Sequence, residues 1–233
     1  MTTSPVQISY FSDLLCVWAY VAQARLNKLK ETFKTDIEIT PYHVTLFGDT
    51  QLRIAQGWKD RGGYIGFGEH VQDVCKQFPH LDVAPNIWKT CQPKTSGTSH
   101  LFLKAIQCYE VDKNKNQAEV SDSNSMVKEV EWAMRLAFFR DGRDISDREV
   151  LYDVANQFSI KKENILNYLT NGQAMARFCT EMAMKETYKL SGSPTYILNE
   201  NRQKLFGNVS YNIMQANVAE LLNTSNDDSC SWC

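Results

Sequence analysis

The sequence predicts an α/β fold in which an all-helical region is inserted into a small sheet domain. Strand-like runs lie near the two ends of the chain, and helical spacing of apolar residues dominates the middle. A sheet therefore has to be assembled from both ends of the chain. We assign residues 1–45 and 186–224 to this discontinuous sheet domain, residues 46–185 to the helical insertion, and residues 225–233 to a flexible tail.

The first 45 residues are predicted to form a strand, a helix and a second strand. Residues 6–11 are rich in β-branched and aromatic side chains and end in a polar pair, which is typical of a strand followed by a turn. From Cys16 to about Phe33 the residues favour a helix, and apolar side chains recur on one helix face. Residues 37–44 return to an extended pattern around Pro41. Cys16 therefore stands where a strand passes into a helix.

The middle of the chain is predicted to be helical. Apolar residues recur at helical spacing within residues 102–109 and 130–138. Ser146 and Glu149 have the capping-box spacing and predict the start of a third helix that runs to Phe158. A fourth helix is expected to begin near Lys162 and to end at Gly172, and the polar stretch 112–125 is expected to be an exposed loop.

The sequence pattern near the end of the chain again predicts β-strands. Residues 195–198 and 203–206 flank the turn Asn199–Asn201 and predict a hairpin. A last helix through Ile213 and Leu221 follows. The glycine-rich residues 62–68 follow no predicted strand and match no phosphate-binding fingerprint, so we expect a lid or a turn there. A segment that borders the active-site cleft is the alternative.

Composition excludes several classes of function. The chain has 233 residues, of which 43% are hydrophobic and 22% charged, so it is expected to be folded and globular. A net charge of −2 gives no basic excess for a nucleic-acid partner. The sequence holds no apolar run of transmembrane length and no signal-peptide pattern, so we expect no membrane partner and a cytoplasmic location.

The cysteines and histidines give one strong candidate for chemistry. Seven cysteines is an odd number for a disulfide framework, and Cys75, Cys91, Cys108 and Cys179 are expected to be small core or surface residues. Cys16 differs, because a thiol at the first turn of a helix feels the positive end of the helix dipole, and we expect its pKa to be lowered. A buried structural cysteine is the alternative at this position. No structural metal is predicted, since the histidines show no ligand spacing with the cysteines and are expected at the surface or the core edge: His43, His70, His80 and His100.

Three motifs resemble the DsbA-like branch of the thioredoxin superfamily. They are YFSDLLCVWAY at residues 10–20, GSPTYI at residues 192–197, and FFRDGRDISD at residues 138–147. The group most similar in these motifs contains FrnE, 2-hydroxychromene-2-carboxylate isomerase and the kappa-class glutathione transferases. The resemblance covers roughly residues 6–222 and implies a thioredoxin-like fold with an inserted all-helical domain.

The resemblance also implies roles for particular residues. Cys16 would be the catalytic nucleophile, Pro194 a cis-proline facing it, and the backbone of Ser193 a partner for an extended thiol peptide such as glutathione. Trp18 would help to shape the pocket. No cofactor is expected to be bound permanently, with glutathione as a cosubstrate, thiol or disulfide peptides as partners, and a homodimer as the assembly that the family suggests.

This chain departs from the dithiol pattern of the family. Ala19 stands where a resolving cysteine would be, so Cys16 is expected to act as a monothiol. A thiol–disulfide oxidoreductase is the favoured function. A glutathione-dependent isomerase or transferase acting on small aromatic or electrophilic compounds is the alternative, and a redox-sensitive binding protein is a third interpretation.

Cys230 and Cys233 form a second Cys-x-x-Cys pattern at the chain end. Residues 223–233 would extend about 35 Å at roughly 3.3 Å per residue, which is enough for a tail thiol to visit Cys16. We expect one of these cysteines to resolve a mixed disulfide formed at Cys16. A metal-capturing pair, dimer packing and an incidental motif remain as alternatives.

Overall fold

The computed structural model describes residues 4–114 and 125–224. Its four-stranded sheet has the order β2-β1-β3-β4, with β1 and β2 parallel and the other neighbours antiparallel. The strands are β1 (Val6–Ser12), β2 (Ile37–His43), β3 (Thr195–Leu198) and β4 (Gln203–Phe206). Helix α1 (Val17–Phe33) connects the two parallel strands. The chain has the DsbA-like thioredoxin fold with a helical insertion, as the sequence predicts.

Alternation of side chains fixes how the sheet is buried. In β1, Val6 and Ile8 are buried and Gln7 between them is exposed, and Ile37 and Ile39 alternate with Glu38 in the same way. Since Ile8 pairs with Ile39, the apolar side chains of the two strands share one face. Apolar residues of α1 and of the last helix, α8 (Tyr211–Thr224), pack against the sheet and complete this core: Leu26, Leu29, Met214, Val218 and Leu221.

Six α-helices lie between β2 and β3 within the described residues 44–114 and 125–194. A second and larger core joins them to the first turns of α1, with Trp88 and Phe138 fully buried in it. A short π-helical segment (Gln51–Gln56) precedes them. The helices are α2 (Gly63–Lys76), α3 (Gly97–Asn114), α4 (Met126–Phe139), α5 (Arg148–Asn156), α6 (Lys162–Thr170) and α7 (Gln173–Thr187).

Two local sequence predictions were wrong. The glycine-rich residues 62–68 form the start of α2 rather than a lid, because Gly62 and Gly63 adopt positive φ angles and the helix continues from there. Helix α5 is capped by Asp147, whose carboxylate accepts a hydrogen bond from the Glu149 backbone N–H at 3.0 Å, so Ser146 is not the capping residue.

Candidate active site

The turn between β1 and α1 holds the candidate nucleophile. Cys16 has an extended backbone and directly precedes the first residue of α1, and only 6% of its surface is exposed. Its N–H donates to the carbonyl of Asp13 at 3.1 Å, and its own carbonyl accepts from the N–H groups of Ala19 and Tyr20. The thiol is therefore held at a helix N-terminus, as the sequence predicts, but inside the protein.

The antiparallel pairing of β1 and β3 brings Ser193 to Cys16. Phe11 near the end of β1 pairs with Thr195 at the start of β3, so the residues that follow β1 lie beside those that precede β3. The Cys16 Sγ lies 3.2 Å from the Ser193 carbonyl oxygen, to which the thiol donates. The Ser193–Pro194 peptide bond is cis, which confirms the geometry predicted at this position.

A cavity of about 350 Å³ opens beside the thiol. Trp18 and Ser193 line it, in agreement with the sequence prediction, and Pro194 is buried next to Ser193. Helix α2 lines it through Phe67, which agrees with the alternative that residues 62–68 border the active-site cleft. The residues around Gln51–Gln56, which the sequence did not connect with Cys16, line it as well. The lining side chains beyond Cys16, Trp18 and Ser193 are Val17, Leu46, Phe47, Arg53, Trp58, Phe67 and His70.

The pKa of Cys16 is raised, whereas the sequence predicts a lowered value. Burial is the largest cause, since it disfavours the charged thiolate, and the negative charge of Asp13 acts in the same direction. A hydrogen bond from the Ser193 side chain and the backbone N–H groups of Ala19 and Trp18 lower the pKa without overcoming burial. The helix terminus is present, but the desolvation of the thiol outweighs it.

Asp13 ties the cysteine turn to two other segments of the site. Its side chain is fully buried and accepts hydrogen bonds from the N–H of Leu15 at 2.9 Å and from the N–H groups of Leu46 and Phe47 at 2.7 and 2.8 Å. The Ser96 hydroxyl, just before α3, donates to the same carboxylate at 2.8 Å. Asp13 therefore sets the position of the Leu46–Phe47 wall of the cavity relative to Cys16.

A buried ionic network lies next to this turn. The Arg135 guanidinium on α4 donates to the Asp13 carbonyl at 3.0 Å, to the Ser12 hydroxyl at 2.8 Å and to the Glu131 carboxylate at 3.0 Å. Burial alone would raise the pKa of Glu131, but His43 and Arg135 beside it hold that pKa well below its usual range. The network fastens α4 to the end of β1.

The network continues through a second carboxylate. His43 lies between Glu131 and Glu181, with ring nitrogens 3.4 and 3.9 Å from the two carboxylates, and Lys104 of α3 forms an ion pair with Glu181. His43 and His100 are both fully buried, so the expectation that they lie at the surface or the core edge was wrong. Their burial follows from contacts between β2, α3, α4 and α7 that are distant in the sequence.

The remaining candidate residues are distributed as follows. Cys75, Cys91 and Cys108 are buried and Cys179 is exposed, and none of these described cysteines is in a disulfide. Cys230 and Cys233 lie outside the described residues, so their role stays a prediction. Within residues 4–114 and 125–224, no group of three or more potential ligands is arranged to hold a metal ion. No helix in that part of the chain is long and apolar enough to cross a membrane.

The fold and the geometry together define a thioredoxin-fold protein with a helical insertion and with one cysteine at the start of its first helix. Comparison with known proteins agrees with this class. Residues 114–219 match the model of the DSBA-like thioredoxin domain family. No curated protein sequence matches the chain. The resemblance to DsbA-like proteins is thereby confirmed.

Several solved structures share the fold. A "putative protein disulfide isomerase" from Nitrosomonas europaea aligns with a TM-score of 0.71 at 11% identity, covering 94% of this chain and 98% of its own. The cytosolic disulfide reductase DsbM from Pseudomonas aeruginosa, also solved with GSH, aligns at 0.65 and 14% identity over 94% and 99%. A 2-hydroxychromene-2-carboxylate isomerase aligns at 0.62 and 14% identity over 96% and 100%. At these identities the similarity establishes the fold.

Proposed function

We propose that this protein is an enzyme, a thiol–disulfide oxidoreductase of monothiol type with Cys16 as its nucleophile. The observation that carries the proposal is the position of the Cys16 thiol, 3.2 Å from the Ser193 carbonyl and on the wall of a cavity of about 350 Å³. Of the described cysteines, Cys16 alone lines that cavity. A single thiol in such a position can attack a disulfide that enters the cavity, and the mixed disulfide that results can be released by a second thiol.

The proposed reaction conserves electrons at each step. Cys16 loses its proton to solvent, and its thiolate attacks one sulfur of a disulfide R–S–S–R. A disulfide bond forms between the Cys16 sulfur and that sulfur, while the original S–S bond of the substrate breaks and its other half leaves as R–S⁻. A second thiolate then attacks the mixed disulfide, which returns Cys16 as a thiolate and releases the oxidised product.

The environment of Cys16 favours the thiol over the thiolate in the free protein. Because burial raises the pKa of Cys16, only a small fraction is ionised at neutral pH. The Ser193 hydroxyl and the N–H groups at the start of α1 stabilise the thiolate that forms. We therefore expect the exchange rate to increase with pH well beyond neutrality.

We propose that Cys230 or Cys233 supplies the second thiolate. Attack by a tail thiol on the mixed disulfide would release R–S⁻ and join Cys16 to the tail, and attack by the other tail cysteine would then free Cys16. The two tail thiols would by then have been oxidised, by loss of two electrons, to a Cys230–Cys233 disulfide. Glutathione is the proposed cosubstrate that reduces it.

The test is mass spectrometry after exposure of the reduced protein to oxidised glutathione. Wild-type protein is expected to pass through a Cys16–glutathione adduct and to end with a disulfide that includes a tail cysteine. The C230S/C233S variant is expected to stop at the adduct, and C16S to form neither product. A tail disulfide that forms equally fast in C16S would contradict the shuttle, and an unmodified Cys16 in the wild type would contradict the exchange function itself.

A glutathione-dependent isomerase or transferase is the second candidate function. It is favoured by the aromatic lining of the cavity, where Phe47, Trp58 and Phe67 provide flat apolar contacts for a small aromatic compound. This function would consume no oxidant and would leave glutathione bound without a disulfide. Calorimetry with reduced glutathione and reduced protein measures binding alone, because two thiols form no disulfide without an oxidant. Tight binding by both wild type and C16S would favour the isomerase or transferase. No binding, together with exchange of oxidised glutathione that C16S lacks, would favour the oxidoreductase.

Two further expectations belong to this proposal. The reducing cytoplasm is the proposed location, because a monothiol exchanger needs a thiol pool to regenerate it. A homodimer is the proposed assembly, to be measured by light scattering at several protein concentrations. Thiol and disulfide peptides remain the proposed partners.

A further inference from the structure

The cavity beside Cys16 carries a positive charge that the reaction itself does not require. Of the side chains that line it, Arg53 is the one that carries a full charge at neutral pH, and no carboxylate lines the described wall. The Arg53 guanidinium lies 4.7 Å from the centre of the Phe47 ring. Within residues 4–114 and 125–224, no carboxylate lies within ion-pair distance of it, and its side chain is exposed at the cavity mouth.

A second arginine reinforces the charge from behind an aromatic wall. The Arg61 guanidinium stacks 3.7 Å from the centre of the Trp58 ring, and that ring lines the cavity. Stacking on an aromatic face orients a guanidinium while its N–H donors at the edge stay available to a ligand. Arg53 therefore presents oriented donors next to flat apolar surface, and Arg61, which does not line the cavity, adds positive charge beside Trp58.

Three other ionisable groups lie near Arg53 or Cys16. The Asp49 carbonyl accepts from the Arg53 N–H at 3.1 Å, but its carboxylate accepts from the Leu52 N–H at 2.9 Å and forms no ion pair with the Arg53 guanidinium. Asp13 lies behind Cys16, and its carboxylate is fully buried and occupied by four hydrogen bonds. Burial first, and then the charge of Arg61, lower the pKa of His70, so its ring is neutral at pH 7. A ligand with a negative group within reach of Arg53 should therefore bind with a more favourable free energy than a neutral ligand of the same shape.

We infer that the Cys16 cavity selects disulfides and thiols that carry a carboxylate next to an apolar or aromatic body, and that Arg53 is a specificity-determining residue for them. The inference rests on the exchange function proposed for Cys16. The carboxylate pairs with Arg53 while the apolar part lies against Phe47 and Trp58, which leaves the sulfur facing Cys16. Arg53 takes no part in bond breaking. It positions the substrate.

The experiment compares two aromatic disulfides that differ in charge. Dithiobis(nitrobenzoate) has a carboxylate on each ring, and dithiodipyridine is uncharged at pH 8. Each reacts with Cys16 by the same exchange, in which the Cys16 thiolate forms a mixed disulfide and one aromatic thiolate leaves. The readout is the ratio of the two rate constants, anionic over neutral, measured at the Cys16 peptide by quenching and mass spectrometry.

We expect Arg53→Gln to lower this ratio by about two- to fivefold, the range of an exposed ion pair. Arg53→Lys is expected to retain most of the ratio. The matched control is Arg202→Gln, an exposed arginine in the turn at the other end of the β3–β4 hairpin, which should leave the ratio unchanged. Raising the ionic strength to about 0.5 M should lower the wild-type ratio toward that of Arg53→Gln.

The outcomes separate this inference from the function on which it rests. An Arg53→Gln ratio equal to the wild-type ratio, with Cys16 still labelled by both reagents, would overturn the selection by charge and leave the exchange function in place. A Cys16 peptide that neither reagent modifies would overturn both. If the ratio of the anionic to the neutral rate constant falls as far in Arg202→Gln as in Arg53→Gln, the effect comes from the net charge of the protein and not from a charge at the cavity. That result would also overturn the inference.

Discussion

Replacement of Arg135 by methionine tests whether the buried ionic network holds the site together. Only 1% of the Arg135 side chain is exposed, and its guanidinium makes hydrogen bonds to Ser12, Asp13 and Glu131. Methionine fills a similar volume but offers no donor. The substitution therefore leaves the Glu131 carboxylate buried with only His43 beside it.

The expected loss follows from the cost of an uncompensated buried charge. Removing one partner of a buried ion pair costs about 3–5 kcal/mol of the free energy of unfolding. At about 2–4 °C per kcal/mol for a chain of this size, the melting temperature should fall by about 6–20 °C. The second change E131Q, added to R135M, removes the stranded charge and should recover most of the loss.

The dependence on pH gives a sharper check. In the wild type the pKa of Glu131 is lowered in the folded state, so its contribution to stability is present above the unfolded pKa of about 4.3 and is lost as the pH falls through the folded pKa. In R135M the folded pKa should rise, because a positive neighbour is gone. The unfolded pKa is common to both proteins, so the difference in stability between wild type and R135M should be largest at neutral pH and should shrink as the pH falls through the folded pKa of Glu131 in R135M toward the lower folded pKa of the wild type.

Urea unfolding followed by circular dichroism measures these differences. Arg177→Met is the matched control, because Arg177 is exposed on α7 and such a change is expected to stay within about 0.5 kcal/mol. The reasoning fails if R135M costs no more than R177M. It also fails if the double variant R135M/E131Q is no more stable than R135M at pH 7, since removal of a stranded charge has to recover stability.

Two other substitutions probe the site and its wall. Ser193→Ala should raise the pKa of Cys16 further, because the Ser193 side chain donates a hydrogen bond that favours the thiolate. The rate of Cys16 alkylation by iodoacetamide, measured against pH, gives this pKa as its midpoint. A midpoint that stays in place or moves down in the variant would contradict the prediction. Gly68→Ala should destabilise α2 by about 1–3 kcal/mol, because a Cβ there would lie 2.6 Å from the Ile87 carbonyl oxygen. Gly48→Ala, whose Cβ would make only ordinary contacts, is the control in the same unfolding assay, and equal losses would refute the steric argument.

The parts of the site that the sequence predicts are those encoded by local pattern. A β-branched run before Cys16 and a helical pattern after it place the thiol at a helix start, and the motif around Pro194 resembles a known family closely enough to predict its cis bond. The direction of the Cys16 pKa could not be predicted in this way. It depends on burial by Phe47 and other residues that are distant in the sequence.

The charged residues of the core were missed for a related reason. His43 and Arg135 look like surface residues in the sequence, because nothing adjacent to them indicates a partner. Their partners come from other helices, and the pairing becomes visible only when β2, α4 and α7 are packed together. Arg53 was missed because its helical segment has no pattern that connects it with Cys16.

The contact between Cys16 and Ser193 joins residues 177 positions apart, which has a consequence for the newborn chain. During synthesis at about 5–20 residues per second, Cys16 is added to the chain roughly 9–35 s before Ser193. The lining from the helical insertion also arrives late. Through that interval the thiol lacks the burial that later raises its pKa, so the nascent protein passes through a period in which Cys16 ionises more readily, and is open to more oxidants, than at any time after folding.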